Sequence, residues 1–219
     1  MFHVEHHGDV VALELARHIR SIGLELSAKQ RDLVSTYAEE LGFWSQKINL
    51  TTISDPKGLA VKHFLDSLHG SSVLCRGDGA NVLDIGAGAG FPGIPLKIIN
   101  PDLELYLLEK NKKKASFLLC LIGKLKLTHV HVISKTAKEL AQDQSLASTF
   151  MNIVVRAVNF SEIADEVAVL MHSVGRAIIY RTDPSSKDDV PEHLKVLETV
   201  RYELPMGYGR RSLVIMSHS

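Results

Sequence analysis

The chain has 219 residues, 45% hydrophobic and 23% charged, an ordinary balance for a globular protein that buries a core without disulfides. Its 25 basic and 25 acidic side chains cancel, which excludes a global field drawing the whole chain onto nucleic acid or anionic lipid. No apolar run reaches the roughly 18 residues of a membrane span, and the opening MFHVEHHGDV lacks the basic and apolar regions of a secretory signal, so a cytoplasmic protein is expected.

His3, His6 and His7 read as a solvated terminus rather than as metal ligands. A helical run over 10–22 is stopped by Gly23. Ser27 with Gln30 has the spacing of a capping box, and Leu33, Val34, Tyr37, Leu41 and Trp44 then recur on one apolar helix face. Asp55 and Pro56 form an N-cap followed by proline at the first helical position, with Leu59, Phe64 and Leu68 on the buried side. Cys75 and Cys120 fit no metal spacing and are expected to be reduced, buried and apolar in character. The stretch CRGDGA at 75–80 breaks the helical pattern and marks a boundary between a helical segment, 1–74, and a second unit, 75–219.

From residue 81 the period changes. Strands are expected over 81–86, 103–109, 130–134, 151–158 and 176–181, with helices over 92–100, 112–127 and 161–173. Two closing strands, 196–204 and 211–217, meet through the Gly207–Gly209 turn. Alternating strands and helices imply an α/β fold, a mostly parallel sheet covered on both faces, with the closing pair antiparallel.

The chemistry concentrates in VLDIGAGAGFPGIP, 82–95. Gly86, Gly88 and Gly90 follow a strand bearing Asp84 and let the backbone come close to a ligand. A Gly-x-Gly-x-x-Gly register fails from Gly86, where Phe91 takes the third place. It succeeds from Gly88 through Gly90 and Gly93, but starts two residues late. A phosphate-binding P-loop is excluded, because the run contains no Gly-Lys-Ser/Thr. Glu109 ends the next strand, about 20 residues on, the place of an acid that accepts hydrogen bonds from ribose hydroxyls. S-adenosylmethionine and NAD both meet that description; the lack of a second catalytic domain argues against NAD.

The segments LDIGAGAGFPGIPL and LLEKNKKKASFL resemble the cofactor motifs of class I S-adenosylmethionine-dependent methyltransferases. With FPGIP, WSQKINLT (44–51), KHFLDSL (62–68), VVRAV (154–158) and GRRSLVIM (209–216), the chain is similar to the RsmG (GidB) family of bacterial small-subunit rRNA methyltransferases. The resemblance implies a class I, Rossmann-like, seven-stranded sheet preceded by an N-terminal helical segment that helps bind substrate. It also implies methyl transfer from S-adenosyl-L-methionine to N7 of a guanosine in 16S rRNA of the small ribosomal subunit. Asp84, Gly86, Gly88, Gly90, Phe91, Glu109 and Arg156 are then the cofactor residues, with Thr136 and Ala137 flanking the adenine. Arg156 faces methyl transfer as the catalytic residue, a structural ion pair being its alternative role. Asn49, His63, Asp66, Ser67 and Arg211 fall on the substrate side. A monomer with no metal and no membrane contact is expected.

Guanine N7 carries a free lone pair, so the absence of an acid–base dyad is no objection. Four positions depart from the family pattern: Ser45, Thr136, Met151 and Arg181. The basic runs Lys112–Lys114 and Arg210–Arg211 suit either RNA phosphate or a solvated face. Methylation of another RNA, a protein or a small molecule, and a non-catalytic NAD- or nucleotide-binding module, are the alternative functions.

Overall fold

The structure, a computed structural model, describes residues 6–77, 80–182 and 190–219; His3 and part of the 75–80 stretch lie outside the described residues. Helix α1 (His7–His18) passes into a 3-10 turn, Ile19–Ile22, which Gly23 closes in the left-handed region at φ 72°. It starts three residues ahead of the expected run, so His7 is helical and His6 is its N-cap. Helix α2 (Ala28–Ser45) carries the expected box: the Gln30 N–H donates to Ser27 Oγ at 3.2 Å and the Ser27 N–H donates to Gln30 Oε1 at 2.9 Å. Asp55 Oδ1 accepts from the Gly58 N–H at 2.6 Å and starts α3 (Pro56–Gly58). The chain beyond Gly58 is less regular than a plain helix. A seven-residue π-helical stretch, Leu59–Leu65, leads to α4 (Asp66–Leu68) and a 3-10 turn, His69–Ser72.

The sheet comprises β1 (Asn81–Ile85), β2 (Glu104–Leu108), β3 (Val130–Ile133), β4 (Phe150–Arg156), β5 (Met171–Arg181), β6 (Leu194–Leu204) and β7 (Gly209–His218). Its order is β3-β2-β1-β4-β5-β7-β6; the first five pair in parallel, and β7 runs antiparallel between β5 and β6. Helices α5 (Gly93–Ile99), α6 (Lys112–Leu125), α7 (Ala137–Ala141) and α8 (Ala164–Leu170) make the crossovers. One expected boundary moves. The helix read over 161–173 ends at Leu170, and Met171 opens β5 by pairing with Phe150 ahead of an irregularity that restores register at Asn152 and Arg176. Met171 continues the helical spacing of Val167, but a strand partner for Phe150 wins over local periodicity.

Strand residues alternate between two apolar layers, except across the register irregularities of β4 and β6, beyond which Phe150 and Leu194 change parity. Val82, Leu105, Leu107, Val154, Ile178, Tyr180, Leu213 and Ile215 face one layer; Leu83, Leu108, Ile153, Val155, Ile179, Val214 and Met216 face the other. The first layer also holds Leu15, Val34, Tyr37, Leu41, Leu59, Phe64 and Leu68, so the N-terminal helices and the sheet share one core. α7 and α8 cover the opposite face through Leu140, Ala164, Val167 and Leu170. Cys75 and Cys120 are both free and only half-buried, because neither occupies a core-facing position. Among the described residues no helix is long and apolar enough to cross a membrane.

The packing of the N-terminal helices on the sheet is tight at Gly70. Tyr180 Oη, buried beneath it, donates to the Ser67 carbonyl at 2.7 Å, and a Cβ at position 70 would overlap that phenol oxygen. Gly70→Ala is expected to cost about 1–3 kcal/mol by overpacking, measured by urea unfolding, with partial recovery when Tyr180→Phe removes the obstructing oxygen.

Candidate active site

β1 and β4 are neighbours from which the sheet order runs outward in opposite directions, the switch point where open α/β sheets hold ligands beyond their strand ends. A cavity of about 580 Å³ opens there, lined by the ends of β1, β2 and β4 and by the start of α7. Its size lies within the roughly 300–1,000 Å³ of small-molecule sites.

The glycine loop forms one wall. Gly86, Gly88 and Gly90 have φ of 76°, 56° and 94°, a region L side chains avoid. A Cβ on Gly86 would come within 2.5 Å of Val158 Cγ2, so this position also sets how closely β1 and β4 end. At Gly88 a Cβ would meet nothing nearer than 3.7 Å, leaving its backbone fronting open space. Glu109 fixes that backbone: Oε2 accepts from the Gly88 N–H at 2.9 Å, and Oε1 from the Asn111 N–H at 2.7 Å. Each carboxylate oxygen keeps a lone pair, the acceptor set that a vicinal diol requires.

Asp84 lies behind the loop, fully buried. Its Oδ2 accepts from the Gly93 N–H at 2.9 Å, while Oδ1 has no hydrogen-bond partner. Burial pushes its carboxyl up to about 7, against the opposing pull of the Gly93 hydrogen bond and the Arg156 charge.

A second wall comes from the N-terminal helices. Phe91 is stacked between Tyr37 (5.0 Å, 14°) and His63 (4.7 Å, 17°), and Tyr37 Oη donates to the Ala89 carbonyl at 2.5 Å. His63 lines the cavity and contacts Thr51 Oγ1 at 2.7 Å through Nε2 and Arg156 Nη2 at 3.2 Å through Nδ1. Because guanidinium only donates, Nδ1 accepts and the proton resides on Nε2, directed at Thr51. Burial, then the positive charges of Arg156 and Lys62, hold His63 down at about 3, so the ring is neutral at physiological pH.

Arg156 ends β4 and joins the walls. Nη2 donates to the Lys62 carbonyl at 2.6 Å and lies 3.3 Å from Asp66 Oδ2; Nη1 donates to Ser67 Oγ at 3.1 Å and to the His63 carbonyl at 3.4 Å. These carbonyls belong to the π-helical stretch, whose widened turn presents them to the guanidinium. Asp66 is completed by Tyr202 Oη, donating to Oδ1 at 2.7 Å.

The expected residues therefore divide. Gly86, Gly88, Phe91, Glu109, Thr136, Ala137, Arg156 and His63 line one cavity, with Asp84 and Gly90 immediately behind it. Asp66 and Ser67 are buried and hold Arg156 instead of standing on the wall. Asn49 is exposed in the loop after α2, and its neighbour Leu50 reaches the cavity in its place. Arg211 lies on β7 outside the lining, with Nη1 donating to the Arg210 carbonyl at 2.8 Å. Leu50, Val158, Glu162 and four lysines were not anticipated on the wall.

The sequence model for rRNA small subunit methyltransferase G matches residues 30–206, spanning both the cavity and the helices above it. The chain belongs to the rRNA small subunit methyltransferase G family. It is 37% identical over 183 residues to ribosomal RNA small subunit methyltransferase G of Desulfitobacterium hafniense strain Y51, covering 84% of this chain and 75% of that protein. Against the protein of the same name from Dehalococcoides mccartyi strain CBDB1 it is 34% identical over 215 residues, covering 93% and 89%. In fold it is similar to MtNAS in complex with MTA and tNA (TM-score 0.60, 16% identity, 87% of this chain and 74% of that one). It is likewise similar to precorrin-6y C5,15-methyltransferase from Geobacter metallireducens (TM-score 0.55, 17% identity, 82% and 97%).

Within the methyltransferase G family pattern, the four departures have different structural settings. Thr136 caps α7, its Oγ1 accepting from the Glu139 N–H at 3.2 Å while Glu139 Oε2 accepts from the Thr136 N–H at 2.7 Å. Met151 sits in β4, its N–H donating to Asn81 Oδ1 at 2.8 Å, a bond any residue but proline makes. Arg181 ends β5 opposite Ser212. Ser45 closes α2 with a buried Oγ that has no hydrogen-bond partner, where a longer amide side chain would reach further.

The titrations carry opposite signs. His63, held at about 3 against 6.5 unfolded, contributes stability above about pH 6.5 that is lost as pH falls toward 3. Asp84, raised to about 7 from 3.8, contributes stability at low pH that is lost as pH rises through 7. The stability of Asp84→Asn relative to the native chain is therefore expected to increase from pH 4 to pH 8, by urea unfolding; a difference that does not vary with pH would mean an ordinary carboxyl.

Proposed function

We propose that this protein transfers a methyl group from S-adenosylmethionine to N7 of a guanosine in 16S rRNA of the small ribosomal subunit. The carrying observation is the family match over 30–206, which takes in the cavity, its glycine wall and the helices that close it. The residues present suit the cofactor: Glu109 offers paired acceptors for the ribose hydroxyls, Gly88 leaves open space, and Ile85, Leu108 and Ala137 supply apolar lining for an adenine. When bound, S-adenosylmethionine supplies an electrophilic methyl group on a sulfonium.

Everything else falls to the chain. Guanine N7 needs no general base, so the protein's contribution is placement, worth up to roughly 7–11 kcal/mol when two reactants are held in line. Arg156 acts as a positioning residue, tying the β4 end to the π-helical stretch and setting the orientation of neutral His63. His63, stacked on Phe91 and bordering the cavity, stands beside the space for the guanine. Residues 75–219 hold the cofactor, and 1–74 supply the wall against which the RNA base is held.

Transfer of tritiated methyl groups to unmethylated small subunits, naked 16S rRNA and tRNA tests the acceptor. Label is expected on small-subunit rRNA; label on tRNA alone would reject the substrate.

A further inference from the structure

Four lysines stand around one side of the cavity, and neither the cofactor nor the fold accounts for them. Lys110 follows β2, Lys114 lies in the first turn of α6, and Lys135 and Lys138 bracket the start of α7; all four line the cavity. Lys112 and Lys113 extend the group outward and are exposed. Among the described residues, none of the six makes an ion pair. The first turn of α6 is where the helix dipole disfavours cations. S-adenosylmethionine carries a sulfonium and no phosphate, so ammonium groups at its adenosine end supply nothing it needs.

Three acids share the lining: Glu109 is engaged by the Gly88 and Asn111 N–H groups, while Glu162 and Glu166 belong to the segment after β4 and to α8. The other basic run lies outside the cavity lining: Arg210 stands opposite Glu203 in the β6–β7 ladder, and Arg211 turns toward the Arg210 carbonyl. In a chain of zero net charge, Lys110, Lys114, Lys135 and Lys138 bring four ammonium groups to the reaction cavity, with Glu139 and Asp143 in reach of Lys135 alone.

We propose that Lys110, Lys114, Lys135 and Lys138 bind phosphates of the RNA strand that delivers its base into the cavity. This rests on the RNA methyltransferase assignment and adds the surface that the backbone crosses. The strand passes over the β2 and β3 ends, so its phosphates meet the lysines while one base turns inward toward His63 and the glycine loop.

The test is the salt dependence of methyl transfer to small ribosomal subunits by the native chain and by Lys110→Gln/Lys114→Gln/Lys135→Gln/Lys138→Gln. Each phosphate contact contributes about 0.7–0.9 to the slope of log KM against log salt concentration. The variant is expected to lose about 3 from that slope and to have a KM raised at least about tenfold at low salt. Its kcat should stay close to native, and its affinity for S-adenosylhomocysteine, by calorimetry, should change less than about two-fold because no lysine is asked to hold the cofactor. Arginine at the same four positions should restore the slope, since charge is what counts.

An unchanged slope in an active native background would overturn the proposal while leaving the enzyme's function intact. Loss of S-adenosylhomocysteine binding by the glutamine variant would also overturn it, by assigning the lysines to the cofactor. A slope lost instead in Arg210→Gln/Arg211→Gln would move the RNA to the β6–β7 hairpin. Absence of transfer by the native chain to any RNA would remove the functional assignment itself.

Discussion

Arg156→Ala is expected to destabilise the folded chain by about 3–5 kcal/mol, the range for removing one partner of a buried ion pair. The guanidinium answers Asp66, the Lys62 and His63 carbonyls, Ser67 Oγ and His63 Nδ1, all within 3.4 Å. Without it Asp66 stays almost wholly buried with Tyr202 as its remaining donor. Methyl transfer should fall by about 100-fold or more, because a displacement near 1 Å of positioning groups costs that much. Arg156→Lys keeps the charge but not the fork that reaches several acceptors at once, so its stability should lie between the two. Urea unfolding decides the first point: a loss below about 1 kcal/mol would mean that Arg156 is solvated and free to meet substrate.

Glu109→Ala should weaken S-adenosylhomocysteine binding by roughly 100- to 10,000-fold. Two hydrogen bonds to a charged acceptor are worth about 1.5–3 kcal/mol each, and every 1.4 kcal/mol is a factor of ten. The substitution also releases the Gly88 and Asn111 N–H groups that the carboxylate holds, so the glycine wall loses its anchor. Glu109→Gln should lie between, keeping one acceptor oxygen and replacing the other with a donor. Calorimetric affinity within three-fold of native in Glu109→Ala would remove the ribose assignment.

The fold was legible because the sequence switches period cleanly at residue 81, and the glycine loop and Glu109 occur at adjacent strand ends. Three features were hidden for physical reasons. The π-helical stretch 59–65 has the same apolar spacing as an ordinary helix over so short a run, so nothing local announced the carbonyls it offers to Arg156. Arg156 lines the cavity at a strand end, as its position implies, but the contacts that hold it follow from strand parity. It shares a face with Val154, and that face is the one covered by the N-terminal helices. Counting the strand by twos directs it toward Asp66 and Ser67, which explains why those two residues lie inside and not on the wall. The lysines at 135 and 138 were invisible for another reason: only the parallel pairing of β2 with β3 brings them beside Lys110 and Lys114.

The position of the transferred methyl group is the most direct test of the whole account. Small-subunit rRNA methylated by this protein with labelled S-adenosylmethionine, digested to nucleosides and separated chromatographically, is expected to carry its label in 7-methylguanosine. Label in any other methylated nucleoside, with none in 7-methylguanosine, would contradict it.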